Sequence, residues 1–156
     1  MDHLAARLRV HAPQVVCGPL LGGAFLAQWL ARDLEAEFCF TERAPETRAQ
    51  GLYGARYRLP AVSRGRVAGR RVAMVDDVVS AGSSLRATAA ELQEHGAIPV
   101  AVGALLVLGD AATAYFSERR LALEGVVHDD YALWNPADCP LCREGMPLED
   151  VTLPTE

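Results

Sequence analysis

The segment that constrains this chain most is an apolar run that ends in two adjacent aspartates and leads into a loop of small residues. Residues 72–84 read Val-Ala-Met-Val-Asp-Asp-Val-Val-Ser-Ala-Gly-Ser-Ser. An apolar run of this kind predicts a strand buried on both faces, as in a parallel sheet covered by helices. Ligands of such sheets bind beyond the carboxyl ends of the strands. Since buried carboxylates without partners are costly, Asp76 and Asp77 are predicted to face a ligand there.

The loop after the aspartates has the chemistry of a phosphate site. Residues 80–84 expose backbone N–H groups where a helix begins, and helix N-termini attract anions. The serines at 80, 83 and 84 add hydroxyl donors, and Gly82 lets the backbone approach a phosphate closely. Asp76 and Asp77 can accept hydrogen bonds from two ribose hydroxyls or hold Mg²⁺ through water. The alternative, an aspartate pair that only caps the helix or forms a salt bridge, explains fewer of these features.

Strands and helices alternate along most of the chain, which predicts an α/β fold with a parallel central sheet flanked by helices. The expected strands are 14–17, 37–40, 71–79 and 99–108, and the expected helices are 4–9, 23–34, 84–95 and 111–118. We treat residues 1–156 as one domain. Because prolines accumulate toward the end, 126–156 is expected to be irregular and is a candidate hood over the site.

Charge restricts the function further. All 15 basic residues are arginine, so no lysine is available for any chemical step. A net charge of −5 argues against general nucleic-acid binding. No apolar run is suited to crossing a membrane, and the first residues lack a signal-peptide core, so we expect a soluble cytoplasmic protein. Residues 43–66 hold six arginines and three glycines with weak periodicity, which predicts a mobile loop or a β-ribbon.

The four cysteines, at 17, 39, 139 and 142, are expected to be reduced in the cytosol. Cys139 and Cys142 have the spacing of a metal or redox pair. A structural zinc site needs four ligands, and no second pair of this spacing is present. Structural thiols are therefore the favoured interpretation over zinc.

Residues 72–84 resemble the signature with which type I phosphoribosyltransferases bind phosphoribosyl pyrophosphate (PRPP). The resemblance implies that Asp76 and Asp77 contact the ribose hydroxyls, with Mg²⁺ nearby, and that the following loop holds the 5′-phosphate. The residues expected to bind PRPP there are Asp76, Asp77, Val78, Ser80, Ala81, Gly82, Ser83 and Ser84. Many members have threonine where this chain has Ala81, which removes one hydroxyl donor.

A second segment extends the resemblance. Gly18-Pro-Leu-Leu-Gly-Gly23 follows the first strand and opens a helix, and it is similar to the pyrophosphate loop of that family, which often holds a non-proline cis peptide. Leu20, Leu21 and Gly22 are therefore expected to contact PRPP. A plain strand-to-helix turn is the alternative for this segment taken alone.

Other segments resemble the orotate branch of the family in particular. They are Phe40-Thr-Glu-Arg43, Arg56-Tyr-Arg-Leu59, Gly69-Arg-Arg-Val72 and the tail from Cys139 to Leu148. Three features depart from that branch: the N-terminal hood is short, the loop lysines are absent, and Leu108-Gly-Asp110 lacks the usual arginine for the orotate carboxylate. Arg119, Arg120 or a loop arginine could replace it.

The resemblance implies an enzyme that forms a nucleotide and pyrophosphate from PRPP and a nitrogenous base, with orotate as the expected base. Arg43 and Arg48 are the candidates for neutralising the departing pyrophosphate, and Arg56 is expected to help bind PRPP, with Arg58 beside it. A homodimer is also expected. Two other interpretations stay open: a PRPP-binding regulator without turnover, and a purine phosphoribosyltransferase.

Overall fold

The computed structural model describes residues 2–44, 56–130, 132, 134 and 137–146. Its strands are β1 (Val15–Pro19), β2 (Glu37–Arg43), β3 (Tyr57–Arg58), β4 (Arg71–Val79), β5 (Ile98–Leu108) and β6 (Ala122–Asp129). Its helices are α1 (Asp2–Arg9), α2 (Gly22–Asp33), α3 (Ala61–Val67), α4 (Ser83–Glu94), α5 (Ala111–Ser117) and α6 (Pro140–Arg143). None of these helices is of a length and hydropathy that would span a bilayer.

The strands form one sheet in the order β3-β2-β1-β4-β5-β6. All neighbouring pairs are parallel except β2 with the short edge strand β3. The predicted α/β fold with a parallel central sheet is thereby confirmed. Because β4 lies in the middle, residues 72–76 are covered on both sides, which explains their continuous apolar run.

Side chains alternate between two cores, one on each face of the sheet. Val72 and Met74 of β4 face the side covered by α4 and α5, where Phe116 is fully buried. Ala73 and Val75 face the other side, which α1 and α2 cover. This alternation is the period of two that a strand imposes, and it positions β4 between the two layers.

Two predictions about local structure were only partly right. Within 43–66, Arg43 pairs with Tyr57 in the short antiparallel β2–β3 ribbon, which was one of the two expectations. Residues 61–67, however, form helix α3, in which Ser63 and Val67 are buried while the arginines between them stay outside. Residues 45–55 of that segment, including Arg48, lie outside the described residues. The irregular tail does not begin at 126, because β6 pairs with β5 as far as Asp129.

The cysteines fall into two pairs. Cys17 and Cys39 are register partners on β1 and β2, and both are buried. Cys139 precedes α6 and Cys142 lies within it, and both are half-buried. All four are free thiols. Within the described ranges, no three or more His, Cys, Asp or Glu side chains gather as they would around a metal ion.

The turn from β1 into α2 depends on a close approach of two glycines. A Cβ atom on Gly18 would lie 2.0 Å from the carbonyl oxygen of Gly23, which is backbone and cannot swing aside. A Cβ on Gly65, within α3, would meet nothing inside 4 Å. The two positions therefore respond in opposite ways to a methyl group.

We expect Gly18→Ala to lower the free energy of unfolding by about 1–3 kcal/mol, since the added methyl overlaps backbone. Gly65→Ala is the matched control and should raise it by about 0.5–1 kcal/mol through helix propensity. Urea denaturation followed by circular dichroism measures both. A neutral Gly18→Ala would contradict the close approach.

Candidate functional site

The two loops singled out in the sequence meet at one edge of the sheet. Since β1 and β4 are adjacent and parallel, their carboxyl ends lie side by side. A Cβ on Gly22 would lie 2.3 Å from Asp77 Oδ2, and one on Gly23 would lie 2.8 Å from Asp76 Oδ1. The backbone of the first loop therefore packs directly against both carboxylates, and glycine is the residue that permits it.

Asp76 and Asp77 differ in environment although they are neighbours. Asp76 is buried, and its carboxylate accepts hydrogen bonds from Ser84 Oγ at 2.7 Å and from the Asp77 N–H at 3.1 Å. Asp77 is exposed, and its Oδ1 accepts only the N–H of Val78 at 2.9 Å among the hydrogen bonds found. Asp76 is thus held in place, while the exposed Asp77 keeps one oxygen, Oδ2, that accepts none of the hydrogen bonds between described residues.

Burial raises the pKa of Asp76 from its ordinary 3.8 to about 6. The Ser84 hydroxyl opposes this shift because it donates to the carboxylate, whereas the nearby Asp77 carboxylate adds to it. Asp76 is therefore mainly ionised at neutral pH but at a cost in free energy. A carboxylate kept charged at a cost is typical of a functional position.

The loop after Asp77 turns sharply into α4. Gly82 has φ +73°, a left-handed conformation that glycine adopts without penalty, and α4 begins at the next residue. No side chain caps this helix among the hydrogen bonds found, so its first N–H groups face the loop. Ser80, Ala81, Ser83 and Ser84 are half-buried. Residues 80–84 thus combine a left-handed glycine turn with the uncapped start of α4, and their role in binding an anion stays a prediction.

The first loop is also fixed to β2. The Leu20–Leu21 peptide bond is cis, as the resemblance implied, and Leu21 is exposed. The Leu20 N–H donates to the carbonyl of Thr41 at 2.8 Å, and the buried Thr41 hydroxyl pairs with that of Thr88 on α4 at 2.8 Å. Thr41 thus connects the first loop to the helix that carries the second. This pair was not predicted from the sequence. The available signal was that each threonine stands alone on an otherwise apolar face.

The arginines proposed for the site separate into two groups. Arg43 ends β2 and lies at the same strand-end edge, and Arg56 accepts a backbone hydrogen bond from Ala44 beside it. Arg58 is paired with Glu42 at 3.2 Å.

Arg119 and Arg120 lie elsewhere, contrary to the sequence-based suggestion that they could reach the base. They precede β6, so they lie at the amino ends of the parallel strands, opposite the site.

An acidic cavity of about 210 Å³ lies at the same edge, beyond β5 and β6. It is lined by Gly109, Asp110, His128, Asp129 and Asp130. The Gly109 N–H donates to the Asp129 carbonyl at 2.9 Å, which fixes the two strand ends together. Sequence reasoning missed the β6 residues because it ended regular structure at Gly125.

Comparison with known proteins agrees with this geometry. The family model described as "Phosphoribosyl transferase domain" matches residues 1–132. The orotate phosphoribosyltransferase of Thermotoga maritima is 31% identical over 148 residues, 95% of this chain and 72% of that protein. The orotate phosphoribosyltransferase of Heliobacterium modesticaldum is 35% identical over 147 residues, 93% of this chain and 70% of that protein.

Solved structures share the fold. The orotate phosphoribosyltransferase of Aeropyrum pernix superposes with a TM-score of 0.62 at 21% identity, covering 81% of this chain and 68% of that one. The adenine phosphoribosyltransferase of Thermoanaerobacter pseudethanolicus superposes with a TM-score of 0.67 at 17% identity, covering 82% and 77%. These similarities concern the backbone architecture alone.

We expect Asp76→Asn to stabilise the ligand-free protein above about pH 6. In the folded chain Asp76 binds its proton more tightly than in the unfolded chain. Its ionisation therefore lowers the free energy of unfolding progressively from pH 3.8 to about 6, and the full loss persists at every pH above 6. The free energy of unfolding of the variant should exceed that of the wild-type protein by about 3 kcal/mol at most. Urea denaturation at pH 4, 5, 6 and 7.5 measures it, and an equal effect of the substitution at every pH would contradict the raised pKa.

Proposed function

The chain belongs to the phosphoribosyl transferase domain family, and we propose that it transfers the phosphoribosyl group of PRPP to orotate with release of pyrophosphate. The observation that carries the proposal is the contact between the backbone of Gly22 and Gly23 and the carboxylates of Asp77 and Asp76, beside the loop at residues 80–84. One edge of the sheet thus offers three adjacent surfaces. They suit the three parts of PRPP: a phosphate, a ribose with two free hydroxyls, and a pyrophosphate.

The 5′-phosphate is proposed to sit on residues 80–84. The uncapped N–H groups at the start of α4 and the hydroxyls of Ser80, Ser83 and Ser84 supply donors. Ala81 supplies only its backbone N–H. Gly82 takes the left-handed turn that opens the loop toward the anion.

The ribose hydroxyls are proposed to donate to Asp76 and Asp77. Asp77 has the exposed carboxylate, so it is the more direct partner, and Asp76 is the more firmly held one. Val78 is 45% exposed and lies beside them as an apolar contact. Leu20, Leu21 and Gly22 are proposed to contact the pyrophosphate with their backbone, and that of Gly22 packs against Asp77.

The site residues fit Mg²⁺ bound through substrate and water. Carboxylate oxygens are the ligands that Mg²⁺ prefers, and it retains water readily. Asp76 and Asp77 offer such oxygens, and the described residues hold no fuller cluster that would bind the ion by itself. When bound with PRPP, Mg²⁺ would neutralise charge on the pyrophosphate.

Charge separation dominates the proposed step. The bond from the ribose to pyrophosphate breaks as the base nitrogen bonds to the same carbon, and the proton of that nitrogen passes to water or to the departing pyrophosphate. Positive charge therefore develops on the ribose ring and negative charge on the leaving group. Asp76 and Asp77 lie where they can stabilise the first, and Arg43 at the end of β2 is the described cation proposed for the second. The roles of Arg48 and of loop closure stay predictions, and Arg56 is proposed to assist PRPP binding.

Orotate is the first candidate base because the relatives that are 31% and 35% identical are named for it. A base with a carboxylate needs a cation, and which arginine supplies it stays a prediction.

A second candidate is an amino-bearing base such as adenine. The cavity lined by Asp110, His128, Asp129 and Asp130 repels a carboxylate and accepts N–H donors. Solved adenine phosphoribosyltransferases also share the fold.

We expect pyrophosphate release when the protein is mixed with PRPP, Mg²⁺ and orotate, and none without the base. Asp77→Asn should lower kcat/KM about 10- to 150-fold, as loss of a charge-assisted hydrogen bond does. Asp33→Asn, an exposed aspartate at the end of α2, is the matched control and should leave it unchanged.

Adenine and other bases belong in the same screen. Turnover with adenine but not orotate would favour the second candidate. Binding of PRPP with no turnover of any base would favour the regulator interpretation, and absence of PRPP binding would contradict the proposal as a whole. We place the activity in the cytoplasm, where the four free thiols stay reduced.

We also propose that the protein is a homodimer that pairs through α2. Leu21, Phe25 and Trp29 recur at a spacing of four and are 69%, 63% and 57% exposed, so they form an apolar stripe beside the first loop. An exposed stripe of large apolar side chains is typical of an interaction surface.

Light scattering at micromolar concentration should give the mass of a dimer for the wild-type protein. Trp29→Glu should shift it toward the monomer because it places a charge in the stripe. Val62→Glu replaces an apolar residue that is 83% exposed on α3 and should leave the mass unchanged. A monomeric wild-type protein would reject this part of the proposal.

A further inference from the structure

Two arginines from different helices stack on one tyrosine ring. The guanidinium carbon of Arg86, on α4, lies 3.9 Å from the ring centroid of Tyr115, on α5. That of Arg119, which follows α5, lies 3.6 Å from the same centroid. Stacking on an aromatic face orients a guanidinium and leaves its N–H edges available. Two oriented cations therefore flank one ring, one on each face.

The arginines line a groove of about 270 Å³ between α4 and α5. Its other described lining residues are Gln93 and apolar side chains, with no aspartate or glutamate among them. Glu118 is the carboxylate found nearest to Arg119, at 3.5 Å, and it is 75% exposed, so solvent screens this ion pair. The groove is thus a positively charged recess in a chain whose net charge is −5.

The hydrogen-bonding capacity of Arg86 is largely unused. Its Nε atom is buried without a hydrogen-bond partner, and its Nη2 is 3.5 Å from the carbonyl of Ala111, which is a long contact. A buried donor without an acceptor costs free energy. Arg119 Nη1 donates to the carbonyl of Tyr115 at 2.9 Å, which fixes its position and leaves its other N–H groups for a ligand.

These observations indicate an acceptor-rich anion as the missing partner. Guanidinium groups bind phosphate and carboxylate through paired N–H bonds, and two cations match the double charge of a phosphate group better than the single charge of a carboxylate. We propose that the groove between α4 and α5 binds a phosphate-bearing anion at a second site, separate from the strand-end site. The source is either inorganic phosphate or the phosphate group of a nucleotide.

The groove is adjacent to the back of the 80–84 loop. A Cβ on Gly82 would lie 3.8 Å from Arg86 Nε and 3.3 Å from the ring of Phe116, which also lines the groove. The two sites therefore share the turn at Gly82 as a wall. Binding in the groove is measurable without PRPP and does not depend on the proposed reaction.

Arginine Nε–H signals in ¹H–¹⁵N NMR spectra test the site directly. Titration of the wild-type protein with inorganic phosphate should shift the Arg86 Nε–H signal in a saturable way, whereas sodium chloride of equal ionic strength should not. Arg119→Gln should weaken this binding roughly tenfold or more, as expected for loss of a charge-assisted contact. Arg64→Gln, on the exposed side of α3, is the charge-matched control and should leave the affinity unchanged.

A parallel titration with uridine 5′-monophosphate identifies the source: tighter binding than phosphate indicates a nucleotide, and equal binding indicates the free anion. The proposal is overturned if the Arg86 signal does not shift, if chloride reproduces the shift, or if Arg119→Gln binds like the wild-type protein while its circular dichroism spectrum is native. Because turnover is assayed separately, an inactive protein that still shows the Arg86 shift would reject the proposed reaction and not this site.

Discussion

The hydrogen bond from Ser84 to the buried carboxylate of Asp76 is the contact on which the geometry of the site depends. It connects the end of β4 to the first turn of α4. One hydroxyl donor and one charged acceptor therefore hold the two ends of the intervening loop together. Burial makes the charge on Asp76 costly, and the serine recovers part of that cost. The loop is therefore held in its shape before any ligand arrives, which lowers the entropy lost on binding.

The second constraint is that glycine occupies the positions where the first loop packs against the two carboxylates. Gly22 and Gly23 bring backbone to within contact of Asp77 and Asp76, and Gly18 allows the chain to turn there at all. Thr41 then fixes the same loop to β2 and, through Thr88, to α4. Three parallel strands and one helix are thus joined at a single edge by short polar contacts, while the two apolar cores on either face hold the sheet beneath them.

Much of this arrangement follows from local sequence patterns. The apolar run of β4, the aspartates at its end and the glycine at the start of α4 predict both the strand and the sharp turn into the helix, because each depends on neighbours a few residues apart. The missed features depend on partners distant in the chain. Helix α3 is anchored only because Val67 within it and Leu59 before it pack into the core on one face of the sheet, and β6 is regular only because β5 pairs with it. The stack on Tyr115 likewise joins residues from two helices, which no local pattern indicates.

The arrangement of the cysteines has a practical consequence. Cys17 and Cys39 face each other inside the core, and the hydrogen bond with Cys39 together with burial raises the pKa of the Cys17 thiol well above its usual value. At the tail, the N–H of Cys142 lowers the pKa of the Cys139 thiol, which is also partly exposed. Thiolate is the species that alkylating reagents attack. A maleimide dye added to the folded protein will therefore attach at the tail and spare the core, which provides a fluorescent reporter within the segment expected to form a hood, without any engineered cysteine.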